Sequence, residues 1–143
     1  MRYKIRDLFP QMLVVLADCS IVWKERENIC EFYNLLKEWP NLAVDTAIEL
    51  LDGRYVDGIL RAMAVKHLDR ALDDDQLQLY LLILIQAVKF EPHASSPLAA
   101  MLVKRALMNY RIGHTIFWLL RAELAHFLGE LNTCTESEYK YFS

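Results

Sequence analysis

Glycine, proline and cysteine are all scarce in this chain of 143 residues. Four glycines and four prolines are too few for a fold of many short strands joined by tight turns. The three cysteines are odd in number and widely spaced, so we interpret Cys19, Cys30 and Cys134 as reduced thiols of an intracellular protein rather than as a disulfide framework. The net charge is only −3, which argues against a nucleic-acid-binding surface or a strongly basic membrane patch.

Segments that would enter or cross a membrane are also missing from the sequence. The short apolar run Met12–Ala17 ends at Asp18 without a cleavage-like site, so we predict no signal peptide. The run Leu77–Val88 is strongly apolar, but it is far shorter than the roughly 20 residues that span a bilayer, and it contains Gln78 and Gln86. We therefore expect a buried helix there and no transmembrane segment.

Apolar residues at helical spacing are what the sequence has in abundance. Hydrophobic residues make up 55% of the chain and charged residues 24%, a composition typical of a folded domain. Apolar positions recur every three or four residues almost everywhere, which predicts helices throughout. We predict seven helices, at about residues 5–18, 25–38, 43–51, 57–72, 73–91, 97–108 and 109–128.

The order of these helices predicts the fold class and the domain limits. Antiparallel helix pairs joined by short loops, repeating about every 40 residues, are typical of a HEAT- or armadillo-like α-solenoid. We therefore expect an all-α solenoid of antiparallel helix pairs over residues 1–131. Residues 132–143 lose the apolar period, and we expect them to form a disordered polar tail.

Three consecutive carboxylates, Asp73–Asp75, could indicate either a metal site or the start of a helix. No further carboxylates follow at the spacing of an EF-hand, whereas carboxylates in a first turn pair with free backbone N–H groups. We interpret them as a helix start, and we predict Asp57 and Ser96 as N-caps, Ser96 with proline directly after it. None of the four histidines has the spacing of a zinc site, so we predict no metal: His67, His93, His114 and His126.

Segment 109–123 carries the most specific pattern in the chain. It reads Asn-Tyr-Arg-Ile-Gly-His-Thr-Ile-Phe-Trp-Leu-Leu-Arg-Ala-Glu. The run resembles the signature N-x-x-I-G-H-x-x-F-W-x-L-K/R-x-E of the helical accessory (PIK) domain of phosphoinositide 3-kinases. Segment 35–40, LLKEWP, is similar to that family's L-L/V-K-D/E-W-P, and segment 47–52, AIELLD, is similar to its A-x-E-L-L-D.

The resemblance runs nearly collinearly from about Arg2 to Glu123. The class I branch, which uses phosphatidylinositol 4,5-bisphosphate, fits best, and the vacuolar class III branch stays open. The matched positions that we take as structural signature residues are Trp39, Pro40, Glu49, Asp52, Asp57, Arg61, Asn109, Gly113, His114, Phe117, Trp118, Arg121 and Glu123.

The resemblance implies a scaffold domain of a longer parent enzyme that transfers the γ-phosphate of ATP to the inositol 3-hydroxyl. In that family the helical domain contacts the kinase, C2 and Ras-binding domains, and in class I also the regulatory subunit. The parent would be cytoplasmic and recruited to membranes, and this chain would be truncated at both ends. An alternative is a freestanding HEAT-type adaptor that binds other proteins, and a third reading is a small helical enzyme.

Motifs for phosphoryl transfer are absent from the sequence itself. Asp69-Arg70 is followed by Ala71 rather than by the histidine of a lipid-kinase catalytic loop, and no Asp-Phe-Gly occurs. Phosphoryl transfer needs a phosphate cradle, metal-binding carboxylates and a positioned base together. We therefore predict no catalytic, cofactor-binding or metal-binding residues here, and we expect ATP and Mg²⁺ only in the kinase domain of the parent.

The signature helix suggests a structural role for each of its polar and aromatic residues. Gly113 is expected where another backbone approaches closely. Trp118 is expected to be largely buried between the sixth and seventh helices, and His114 to be partly buried. Arg121 and Glu123 are too close in sequence to face each other on one helix, so we expect an inter-helix polar contact.

Leu79 and Ile83 stand where class I relatives carry glutamine. They are four residues apart and therefore adjacent on one face of the fifth predicted helix. Two interpretations stay open: a deeper core, or an exposed apolar strip that a partner covers. On the second interpretation, the isolated chain would self-associate weakly through these residues.

Overall fold

Eight helices follow one another along the described part of the chain. The computed structural model describes residues 9–40, 42–93 and 95–142, with side chains up to residue 130. Within these ranges there is no strand, which confirms the all-α class. The helices are α1 Met12–Asp18, α2 Ser20–Lys24, α3 Arg26–Lys37, α4 Val44–Glu49, α5 Gly58–Ala71, α6 Asp74–Val88, α7 Pro97–Met108 and α8 Tyr110–Phe142.

Two helix limits differ from the sequence prediction, and one short helix was missed. Residues 1–8 lie outside the described ranges, and α1 begins at Met12, directly after the turn at Pro10. The helix α2 follows an extended Cys19 and is too short for its periodicity to be recognised. The helix α8 continues past the predicted end near residue 128. The predicted tail, 132–143, overlaps the last turns of α8, where only the backbone is described; its separation from 1–131 stays a prediction.

The predicted helix starts are confirmed by their hydrogen bonds. Asp57 Oδ1 accepts from the backbone N–H of Leu60 at 2.8 Å, and Ser96 Oγ accepts from that of Ala99 at 3.1 Å. Asp73 and Gln76 form a reciprocal capping box at the start of α6. The three carboxylates therefore begin a helix, as expected. No cluster of residues that could hold a metal occurs among the residues described.

A core rich in leucine runs between the helices and ends at the first turns of α8. Ile112, at 1% exposure, is the last buried residue of the described sequence. Trp39 closes the other end: its indole N–H donates to the carbonyl of Pro10 at 3.0 Å, and Pro40 prevents α3 from continuing. The fully buried leucines are Leu13, Leu50, Leu51, Leu60, Leu68, Leu77, Leu81, Leu84 and Leu98.

Alternate helices of the C-terminal half lie side by side and run in the same direction. Gln78 of α6 contacts Thr115 of α8. Further along α6, Gln86 contacts Glu123, which is also further along α8, so the two helices run in the same direction. The last turn of α5 likewise meets the last turn of α7. None of the helices described here is both long and apolar enough to span a bilayer.

Candidate interaction surfaces and the joints that hold them

Arg61 forms a buried polar joint between α5, the end of α6 and the loop after α4. Its side chain is 1% exposed, and its Nε and Nη2 lie 3.2 and 3.1 Å from Oε1 of Glu91, which is 4% exposed. Nη1 donates to the carbonyls of Asp52 and Tyr55, and Nη2 to that of Ala87. A guanidinium stays charged and offers five N–H donors. This signature residue is thus paired on all sides and serves to hold the fold.

The signature carboxylates around this joint fix the loop between α4 and α5. Asp52 Oδ2 accepts from Arg54 Nε at 3.0 Å, and Glu49 lies 3.6 Å from the same guanidinium at the surface. Asp57 accepts from the hydroxyl of Tyr33 at 2.6 Å. That hydrogen bond, together with burial, raises the pKa of Tyr33 to about 12. These carboxylates are therefore engaged in loop and helix-end contacts.

Arg105 forms a second joint, whose role the sequence did not reveal. Its guanidinium donates to Oδ1 of Asp69 and Oδ1 of Asp74, both at 2.9 Å, and to the carbonyls of Asp69 and Leu72. The signature residue Asn109 adds a bond from Nδ2 to Oδ2 of Asp74 at 2.9 Å. The joint ties the ends of α5 and α7 to the start of α6.

The same contacts shift the acidity of both carboxylates. Hydrogen bonds from Lys104 and Arg105 hold the pKa of Asp69 below its ordinary value. Hydrogen bonds from Asn109 and Arg105 do the same for the pKa of Asp74. Both groups therefore stay ionised in the folded chain at any pH near neutrality, and their two negative charges are matched by Arg105 and Lys104.

Glu123 forms the third joint, between α6 and α8. Its carboxylate forms an ion pair with Lys89 and accepts from the side-chain amide of Gln86. These two contacts lower the pKa of Glu123. The expected inter-helix polar contact is confirmed for Glu123. Arg121 instead lies over the ring of Trp118 in its own helix, 5.2 Å from the ring centroid.

Gly113 lies where the backbones of α7 and α8 meet, as predicted. A Cβ atom at this position would stand 2.9 Å from the carbonyl oxygen of Ala106. Such a contact is closer than packed carbon and oxygen atoms tolerate, and a backbone atom in a helix cannot move away cheaply. A side chain at position 113 would therefore force α7 and α8 apart.

Gly113→Ala is expected to destabilise the chain, although alanine is the better helix former. Overpacking costs about 1–3 kcal/mol, which outweighs the gain of about 1 kcal/mol in helix propensity when the contact cannot relax. Gly129→Ala in the same helix is the matched control, because nothing lies within 4 Å of a Cβ there. Urea unfolding should show a lower midpoint for the first variant and an equal or higher one for the second. A higher midpoint for both would contradict the close approach.

The predicted burial of Trp118 between α7 and α8 is wrong. Its side chain is 49% exposed, and Leu107 on the neighbouring helix α7 is 84% exposed. Trp118 lies on a face of α8 away from Ile112, and its indole N–H donates to Nε2 of His114 one turn earlier, at 3.0 Å. His114, expected to be partly buried, is exposed too. With no helix among the described residues covering this face, the ring packs along its own helix.

Two apolar helix faces are exposed on the helices that these joints hold together. On α6, Leu79 is 80% exposed and Ile83 48%, so the alternative of a deeper core is wrong and the strip is open. On α8, a row of large apolar side chains continues past the end of the core. Large contiguous exposed apolar patches mark interaction sites, so both faces are candidates. The exposed residues are Leu79, Leu82 and Ile83 on α6, and Phe117, Leu120, Leu124, Phe127 and Leu128 on α8.

Comparison with known proteins identifies the family of the chain. Residues 1–141 match the family described as phosphoinositide 3-kinase family, accessory domain (PIK domain). The chain is 46% identical over 124 residues, 87% of its length, to phosphatidylinositol 3-kinase age-1 of Caenorhabditis elegans. It is 43% identical over 140 residues, 98% of its length, to the protein of that name from Caenorhabditis briggsae. The matches span only 10% and 12% of those relatives. The chain belongs to the phosphoinositide 3-kinase family, as its accessory PIK domain.

Proposed function

We propose that this chain is the structural scaffold of a phosphatidylinositol 3-kinase, the parent protein of which it forms one domain. It would position the kinase, C2 and Ras-binding domains of the parent and contact a regulatory subunit. The observation that carries the proposal is that polar joints hold the helices together while two helix faces expose apolar side chains. Buried or partly buried joints at Arg61, Arg105 and Glu123 fix the helices, while α6 and α8 expose rows of large apolar side chains.

The proposed architecture is a HEAT- or armadillo-like solenoid. In such folds each layer is a helix pair, and equivalent helices of successive layers run parallel. The parallel pairs α5 with α7 and α6 with α8 support this arrangement. A stacked layer buries its flank only when the next layer is present. The exposed row on α8 is then the flank that the parent covers.

The proposed chemistry of the parent is transfer of the ATP γ-phosphate to the inositol 3-hydroxyl, with ATP and Mg²⁺ bound in its kinase domain. The residues described here would position other domains rather than take part in catalysis. Four of the aspartates, Asp57, Asp69, Asp73 and Asp74, are engaged in helix caps and joints. The parent is proposed to act in the cytoplasm and to be recruited to membranes that hold its lipid.

Glu123→Lys in the parent tests the scaffold role. The substitution replaces the attraction between Glu123 and Lys89 with repulsion, so α8 should shift against α6 and displace what packs on both. Lipid kinase activity should fall several-fold, whereas the KM for ATP should stay unchanged because ATP binds in another domain. Arg111→Glu, an exposed charge reversal in the same helix, should leave activity at the wild-type level. Full activity of the Glu123 variant, with altered hydrogen exchange in α8, would refute the scaffold role.

Leu79 and Ile83 are proposed to make the isolated chain self-associate weakly. Burying each side chain is worth about 1.5–3 kcal/mol, enough for the pair to matter in weak association. Replacing both with glutamine should shift sedimentation towards the monomer with little loss of helicity by circular dichroism. Replacing the buried Leu81 and Ile85 in the same way should unfold the helix instead. A double variant at 79 and 83 that sediments as the wild type does would rule out this strip as the contact.

A further inference from the structure

A groove of about 470 Å³ lies between α3 and α5, and no residue of the exposed faces of α6 and α8 lines it. Its floor is apolar and includes Leu36 and Trp39, both almost fully buried, and the half-buried Met63. The floor is continuous because its α5 residues recur every three or four positions and share one helix face. At one end of the groove, the hydrogen bond from Tyr33 to Asp57 joins the two helices.

The rim of this groove is basic, although the chain as a whole is acidic. Lys37 from α3 and Lys66 and Arg70 from α5 line it, and all three side chains are exposed. They form no ion pair with any residue whose side chain the structure describes, in contrast to Arg61 and Arg105. Like charges held around one concavity repel each other, and a bound anionic group relieves this repulsion.

His67 also lines the groove, on the same helix as Lys66 and Arg70. Burial, followed by the charges of Arg70 and Lys66, lowers the pKa of His67 below its ordinary value. The imidazole is therefore neutral at physiological pH. It can donate one hydrogen bond without adding to the repulsion between the cations.

We propose that this groove docks an acidic amphipathic segment of a separate protein. Its carboxylates would pair with Lys37, Lys66 and Arg70, and one large apolar side chain would lie on the floor beside Trp39 and Met63. A helix laid in a groove between two helices is a common mode of peptide recognition. The concave shape favours a peptide over a lipid surface, because membrane-binding sites present protruding apolar side chains, and here the floor is recessed.

The test is fluorescence anisotropy with short labelled helical peptides that carry glutamate on one face and leucine or tryptophan on the other. The acidic peptide should bind the chain at least about tenfold more tightly than a counterpart with glutamine in place of glutamate. The affinity should fall as salt is raised. Binding should shift the indole N–H signal of Trp39 in NMR spectra and leave that of Trp118 in place.

Charge reversal locates the site on this groove. Lys66→Glu/Arg70→Glu should weaken binding of the acidic peptide at least about tenfold, with the helix content of the chain retained. Lys24→Glu/Arg111→Glu, which reverses two exposed cations elsewhere, should change the affinity little. The proposal is overturned if the two peptides bind equally, if neither binds, or if both double variants behave alike. It is also overturned if the groove binds phosphatidylserine vesicles or a second copy of the chain in preference to the peptide.

Discussion

Arg61→Ala should lower the free energy of unfolding by about 3–5 kcal/mol, the cost of removing one partner of a buried ion pair. The variant would leave the carboxylate of Glu91 buried without its counter-charge. It would also remove the donor from the carbonyls of Asp52, Tyr55 and Ala87. For a domain of marginal stability, a loss of this size brings the chain close to unfolding at 37 °C.

Two comparisons separate this joint from a general effect of losing an arginine. Arg61→Lys should recover part of the loss, because one ammonium group can satisfy Glu91 but cannot reach three carbonyls as well. Arg54→Ala removes an exposed arginine from the neighbouring loop and should leave the urea midpoint nearly unchanged. If the variants at 54 and 61 shift the midpoint equally, Arg61 is not a joint.

Arg105→Ala should have the second largest effect, a loss of about 2–3 kcal/mol from two charge-assisted hydrogen bonds that are partly open to solvent. It should also change how stability depends on pH. The folded-state pKa values of Asp69 and Asp74 lie below the ordinary value of an aspartate. A depressed carboxyl pKa stabilises the fold at pH values above the unfolded pKa, and this contribution is lost as the pH falls through the folded pKa.

The wild-type chain is therefore expected to lose stability steeply as the pH falls below about 4. In Arg105→Ala this part of the decline should be smaller, because Arg105 is the one residue that lowers the pKa of both carboxyls. Urea unfolding at a series of pH values measures both effects. Lys104→Ala is the comparison, since its exposed ion pair reaches only Asp69. Parallel pH profiles for wild type and Arg105→Ala would contradict the assignment of this joint.

The helices and their starts could be predicted from the sequence because both depend on neighbours in the chain. Apolar spacing, the caps at Asp57, Asp73 and Ser96, and the stop at Trp39-Pro40 all act within a few residues. The resemblance identified the family. Gly113 was correctly predicted at a close backbone approach, because glycine is unfavourable inside a helix unless a neighbouring backbone leaves no room for a side chain.

The partners of the joints could not be predicted, because they are distant in sequence. Arg61 was recognised only as a signature residue, and its partner Glu91 is 30 residues away in sequence, just after the end of α6. No role was predicted for Arg105, although the lack of any acidic residue near it in its own helix was a usable signal. The basic groove was missed for the same reason, since its cations come from two helices.

For Trp118 the helix was predicted correctly from the local pattern, but the burial of its side chain was not. An aromatic residue at helical spacing is buried only where another element covers its face. The helix α8 runs on past the core, so the same spacing produces an exposed row. For the same reason the sequence could not tell whether Leu79 and Ile83 are buried or exposed. In the described part of the structure no helix packs on that face of α6, and both side chains are exposed.

Hydrogen exchange compared between this chain alone and the parent protein tests the scaffold role most directly. If other parts of the parent pack on the open faces, backbone amides of α8 around residues 117–128 and of α6 around 79–83 should exchange markedly more slowly in the parent. Those of the buried helix α5 near Leu68 should change little and serve as the reference. Equal exchange of α6 and α8 in both proteins would mean that nothing covers these faces, and the scaffold role would be wrong.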